Sequence, residues 1–132
     1  MSLPLLRLFL AFSAFGWGVC ILGVFVSWPQ VNSITQGMGG KPIAYDPMLD
    51  YWLRMICGAF TLIGVWYLAL ALWPRKFAVA IPWFGWLMLV EGVLLLISGL
   101  RLGIGPFPFY GDVVASLLGG GGIVYFAKAA RS

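Results

Sequence analysis

Among the charged residues inside or at the edges of long apolar runs, five could together form a site: Asp50, Arg54, Glu91, Arg101 and Asp112. Ionisable side chains are costly within a membrane, so each is a functional candidate by default. Asp50 and Arg54 are spaced i,i+4 with the acid first, the favourable order for a helical ion pair. The Arg fork matches carboxylate and phosphate oxygens, so Arg54 and Arg101 are candidates to receive an anionic or carbonyl-bearing ligand. Asp112 is expected at a helix N-terminus, where a carboxylate suits the helix dipole. Glu91 lies deepest, about ten residues from either end of its run. With no His and no second acid beside it, Glu91 points to a hydrogen bond within the protein, a ligand or a proton, and is weak support for acid–base catalysis.

Other chemistries lack their residues. The chain has no His and only two cysteines, Cys20 and Cys57, both in apolar runs and not in a CxxC pattern. Zinc, haem and dithiol redox chemistry are therefore without their usual ligands. The cysteines read as small apolar fillers, and a disulfide between them requires their two helices to touch there. No catalytic residue, metal or resident cofactor is expected, although a bound lipid or quinone is compatible with the pattern. The net charge of +4 comes from scattered basic residues. They form no stripe for nucleic acid.

The elements that must hold these residues follow from composition. Of 132 residues, 62% are hydrophobic and 9% charged, against about 25% charged in a soluble domain. Seven Trp suit interfacial belts. A bilayer core needs about 20 apolar residues per helix, and four runs qualify: roughly 3–28, 48–73, 78–102 and 111–128. The first is longer than a signal-peptide core and lacks an A-x-A site, so it reads as an uncleaved helix. The expected fold is thus all-α, a single four-helix transmembrane bundle over residues 1–132. Breakers mark the ends: Trp28-Pro29, Trp73-Pro74-Arg75-Lys76, and Gly103 to Pro108. The outer loop, 29–47, carries Val31, Ile34 and Met38 at helical spacing and predicts a short interfacial helix ending at Gly37–Gly40.

Short links predict that the second and third spans, and the third and fourth, are antiparallel neighbours. With the second turn centred near residue 76, Asp50 falls level with Arg101, Arg54 with Ser98 and Thr61 with Glu91. Asp112 joins that outer level. The expected result is a cluster of Asp50, Arg54, Arg101 and Asp112, either a structural set of ion pairs or a polar pocket with Glu91 beneath it. Small residues mark close helix contacts. Gly16 and Gly18 do so on the first span; Ala115/Gly119 and Ser116/Gly120 do so on the fourth. Ala14/Gly18 is the expected partner surface of the fourth span. The Gly119–Gly122 run resembles a phosphate loop only superficially, because no strand precedes it and no Gly-Lys-Ser/Thr follows.

Orientation follows from the Lys/Arg bias. Arg7, Arg75, Lys76, Lys128 and Arg131 fall on the side of the two termini, whereas Lys41 is the only basic residue of the opposite loops. Both termini are therefore expected in the cytoplasm, in the inner membrane of a bacterium.

The layout resembles the DoxX-like group of small four-helix bacterial membrane proteins. The resemblance is carried by the long loop after the first span, Asp50-Tyr-Trp-Leu-Arg54 followed by Gly58 and Gly64, Arg101 at the outer end of the third span, and a Gly-rich fourth span. It implies quinone-linked oxidation or redox-stress complexes, as in some members, or no assigned activity, as in most. Taken with the residues, the first expectation is a non-catalytic accessory or structural subunit packed against other membrane subunits or a second copy. Alternatives are a binder or carrier of a lipid, quinone or small metabolite at the outer pocket, and a DoxX-like oxidoreductase component.

Overall fold

The computed structural model describes residues 2–132. It is all-α among these residues. We number the helices α1 (Leu3–Phe25), α2 (Trp28–Gly37), α3 (Pro47–Leu72), α4 (Ile81–Leu102) and α5 (Pro106–Phe126). α1 passes through a single 3-10 turn at Val19–Ile21, and a further 3-10 turn, Ala127–Ala130, follows α5. α1, α3, α4 and α5 with its following turn are long and apolar enough to cross a membrane. The chain is a multi-pass helical membrane protein. Large apolar side chains such as Leu8, Phe15, Leu62, Trp83, Leu94 and Val114 turn outward from every span, where acyl chains are the solvent.

Every helix carries a proline in its first turn: Pro4, Pro29, Pro47, Pro82 and Pro106. The missing N–H is harmless there and the fixed φ suits a helix start. Thus Trp28-Pro29 opens α2 and does not close the first span, which ends at Phe25. Ser27 and Gln30 form the cap, with the Ser27 amide donating to Gln30 Oε1 at 2.8 Å. The predicted short helix is present, and it begins one residue before its expected loop. The extended segment 41–46 returns along it, held where Asn32 donates to the Ile43 carbonyl at 2.7 Å and accepts from the Ile43 amide at 2.9 Å. Asp46 then caps α3, accepting from the Met48 and Leu49 amides.

The bundle is two hairpins side by side. α1 packs along α3, α4 packs along α5, and α1 lies against α5 to join them. The α4–α5 pairing is as the short link predicts. The expected pairing of the second and third spans is not found: the backbones of α3 and α4 do not run close. Their link, 73–80, is a series of turns, with Phe77 N bonded to Trp73 O and Ala80 N to Phe77 O. Large side chains then keep the two helices apart. Tyr67 Oη donates to the Phe84 carbonyl at 3.0 Å, its ring edge-on to Phe84.

Small residues decide which helices do approach. A Cβ on Gly64 would lie 2.5 Å from the Gly18 backbone nitrogen and 2.9 Å from the Ala14 carbonyl oxygen. The partner surface of Ala14/Gly18 is therefore Gly64 of α3, not the glycine run of the last span. Gly120 instead fits against the α4 backbone at Gly85 and Leu89, while Gly119 meets Met88 and Ser13. Gly85, Gly92 and Gly99, seven residues apart, line the buried face that α4 turns to α5. That period keeps one face of a helix on a left-handed crossing.

The core is concentrated at one end. Leu6, Leu10, Tyr67, Leu70, Ile81, Met88, Ile123, Ala127 and Ala130 form one buried cluster. This is the end that holds the chain termini and the α3–α4 link. The other half is less filled, and it contains the site.

Candidate functional site

Two arginines latch the α1–α3 hairpin, one at each end. A helix leaves its last carbonyls without intrahelical donors, and α1 ends at Phe25. Arg54, two turns into α3, donates to the Gly23 carbonyl at 2.7 Å. Its Nε and Nη2 also reach Asp50 Oδ1, at 2.9 and 2.7 Å. At the opposite end Arg7 of α1 approaches the Leu72 carbonyl, the last of α3, at 3.5 Å. Each cation sits at the C-terminus of the neighbouring helix, where the dipole favours positive charge. Asp50 and Arg54 thus meet as their spacing predicts, but the pair is turned to α1.

Arg101 stands in the last turn of α4, exposed, and no ion pair engages it among the described residues. Asp112 is likewise unpaired. α5 has non-helical backbone at Phe107, so its regular turns begin after that residue and Asp112 lies beyond the first of them. The expected cluster of four outer charges is therefore divided: Asp50 with Arg54 at α1, Arg101 alone, and Asp112 elsewhere.

That other place is a central cavity of about 280 Å³ lined from all four spans. α1 contributes Ser13, Gly16, Trp17 and Cys20; α3 contributes Phe60; α4 contributes Met88, Glu91 and Leu95; α5 contributes Asp112, Ala115 and Ser116. Glu91, near the middle of α4, and Asp112 of α5, exposed at the outer end of the wall, are the only charged groups on it among the described residues, and both are acidic. Among the described residues neither carboxylate receives a hydrogen bond or an ion pair, whereas Ser13 Oγ is satisfied by the Phe9 carbonyl at 2.9 Å. Among the described residues no buried side-chain oxygen or nitrogen lacks a partner, so the unpartnered Glu91 oxygens are not fully buried, and Glu91 is part of the cavity wall. Leu95 and Asp112 also line a smaller hollow of about 140 Å³ beside the α4–α5 loop. Asp112 thus stands between the chamber and the outer end of the bundle.

No family model, curated protein or solved structure matches the chain. The chemistry must come from the wall itself. It offers two acceptors, the aromatic faces of Trp17 and Phe60, and the soft sulfur of Met88. Cys20 lines the chamber and Cys57 packs on Gly23; both are free thiols. Among the described residues no three His, Cys, Asp or Glu side chains gather as a metal site.

Of the packing glycines, Gly18, Gly119 and Gly120 lie at helix crossings, whereas Gly16 lines the cavity. Ser13, Trp17, Phe60 and Ser116 were not legible as site residues. The seven-residue spacing of Gly85, Gly92 and Gly99 was legible, and it marks the α4 face beside the chamber.

Proposed function

We propose that this protein binds a small, mostly apolar molecule in the central cavity, with a cationic or hydrogen-bond-donating group at Glu91 and Asp112. One observation carries this: two carboxylates without a protein partner front a chamber to which no Lys or Arg contributes. A polar group facing a low-dielectric interior is costly when unpaired, and a donor on the ligand offsets that cost. Trp17 and Phe60 supply faces that attract a cation. The volume is near the lower end of the roughly 300–1,000 Å³ of small-molecule sites. It suits a small amine, or a hydroquinone ring whose hydroxyls donate, and is too small for a whole diacyl lipid.

A role as accessory subunit, packed on other membrane proteins or on a second copy, draws only on the outward apolar side chains, which lipid alone accounts for. An oxidoreductase role of the DoxX-like kind rests on span layout alone. The proposed location is a bacterial inner membrane with both termini in the cytoplasm, supported by five basic residues at the end of the bundle that holds the termini.

Calorimetric titration of the detergent-purified protein with phenethylamine and with its neutral isostere propylbenzene tests the binding reading. The amine is expected to bind roughly tenfold more tightly, the worth of one charge-assisted hydrogen bond. Glu91→Gln with Asp112→Asn should remove that advantage. Gly16→Leu should abolish binding of both, because a side chain there enters the chamber and its Cβ meets nothing within 4 Å. Equal affinity for the two compounds, or amine binding untouched by the carboxylate changes, would refute the assignment.

A further inference from the structure

The chain has eight basic and four acidic residues, and their distribution is uneven. All four acids, Asp46, Asp50, Glu91 and Asp112, lie in the half with the cavity or at mid-span. Arg7, Arg75, Lys76, Lys128 and Arg131 gather at the opposite end, where no carboxylate side chain accompanies them. Among the described residues none of the five makes a salt bridge.

Three of them converge. Arg7 at the start of α1 and Arg75 and Lys76 in the α3–α4 link line one open groove of about 510 Å³, together with Leu3, Leu72 and Trp73. Arg7 is steered there by its contact with the Leu72 carbonyl, which engages one nitrogen of the guanidinium. Its remaining donors are uncommitted. Lys76 lies over the Phe77 ring with its ammonium 5.8 Å from the centroid, and among the described residues Arg75 makes no hydrogen bond. The groove therefore presents several free donors at the level where the spans end. Its sides are apolar, and Trp73, exposed, is of the type that settles among headgroups.

We propose that this groove binds the phosphate of an anionic phospholipid, with Arg7, Arg75 and Lys76 as its donors and the acyl chains running down over Leu3 and Leu72. Arg suits a phosphate through its planar fork and Lys as a mobile point charge. Basic pockets between spans are characteristic seats of anionic headgroups. A free phosphate ion offers the same oxygens and lacks the acyl chains, so the apolar sides favour the lipid. The site is separate from the cavity and does not depend on what the cavity holds.

The test uses the full-length protein in dodecylmaltoside, with the thermal unfolding midpoint followed against added lipid. Dioleoylphosphatidylglycerol is expected to raise the midpoint; dioleoylphosphatidylcholine and inorganic phosphate at the same concentrations are not. Arg75→Gln with Lys76→Gln should raise the half-saturating phosphatidylglycerol concentration about 25-fold, from about fivefold per cation. The unliganded midpoint should change little, since among the described residues neither side chain hydrogen-bonds the protein and only the exposed Lys76–Phe77 contact is lost. Should the double variant fail to fold, Arg75→Gln alone should give about a fivefold change. Lys128→Gln with Arg131→Gln, at the same end but outside the groove, should change it far less. The proposal is overturned if phosphatidylcholine matches phosphatidylglycerol, if inorganic phosphate alone reproduces the shift, or if the control pair weakens binding as much as the groove pair.

Discussion

Gly64→Ala and Gly58→Ala add the same methyl group to the same helix, yet they should move stability in opposite directions. At position 64 the new carbon would lie 2.5 Å from Gly18 N, 2.7 Å from Gly18 Cα and 2.9 Å from the Ala14 oxygen. All three are backbone atoms of α1, so no rotamer change relieves the contact. Ordinary carbon contacts fall at about 3.5–4.0 Å, so α1 and α3 must part by roughly 1 Å. Overpacking costs about 1–3 kcal/mol, and with only backbone atoms in the way this contact falls in the upper part of that range, about 2–3 kcal/mol. Alanine recovers up to about 1 kcal/mol in helix propensity, leaving a net loss of about 1–2 kcal/mol. At position 58 a Cβ meets nothing within 4 Å, and only the propensity gain of up to about 1 kcal/mol operates. Unfolding in mixed micelles by rising sodium dodecyl sulfate, followed by tryptophan fluorescence, measures both. A Gly64→Ala protein as stable as the parent, or a Gly58→Ala protein as damaged as Gly64→Ala, would refute the close α1–α3 approach.

The same assay separates the two members of the outer latch. Arg54→Met should cost about 1.5–3 kcal/mol because it strips the donor from the Gly23 carbonyl, while Asp50→Asn, which weakens only a partly exposed ion pair, should cost less than about 1 kcal/mol. Asn32→Ala removes both bonds to Ile43 and should speed hydrogen exchange at the Ile43 amide about fivefold or more, read by mass spectrometry, for a bond worth about 1 kcal/mol; an unchanged rate would mean that segment 41–46 is held by something else. Cysteine substituted at Lys41 and at Arg75 should be labelled by a membrane-impermeant maleimide from opposite sides of the bilayer, with position 75 reached from the cytoplasm. Labelling of both from one side would contradict the four-span layout, and labelling of 41 from the cytoplasm would reverse the orientation.

The spans were legible because their signal is long and additive: some twenty apolar residues outweigh any one charge. Pairing was not. Loop length suggested that α3 lies beside α4, but one glycine at 64 and one bulky ring at 67 outweighed the link, admitting α1 and holding α4 away. Prolines were misread where they open helices, because Pro29 satisfies a stop and a start equally well until the Ser27–Gln30 cap is seen. The Asp50–Arg54 pair was readable from spacing within one helix. Glu91 and Asp112 were expected in one pocket with both arginines; that they line a cavity without Arg54 and Arg101 was not readable, since it depends on a void between four helices, and no local pattern encodes a void.

The two-hairpin arrangement also bears on how the protein is made. Each close pair consists of spans consecutive in the chain, α1 with α3 and α4 with α5. The first pair can complete its glycine contact and both arginine latches before α4 has left the ribosome. The second then closes on its own seven-residue glycine face. The Tyr67–Phe84 bond and the Ser13–Met88 contact wait for α4, and the junction of α1 with α5 waits for α5. Contacts local in sequence form early, so the hollow between the pairs is the last region to gain its full wall. Before that junction forms, Glu91 and Asp112 do not share a wall with α1, and the docking of α5 on α1 brings the site together.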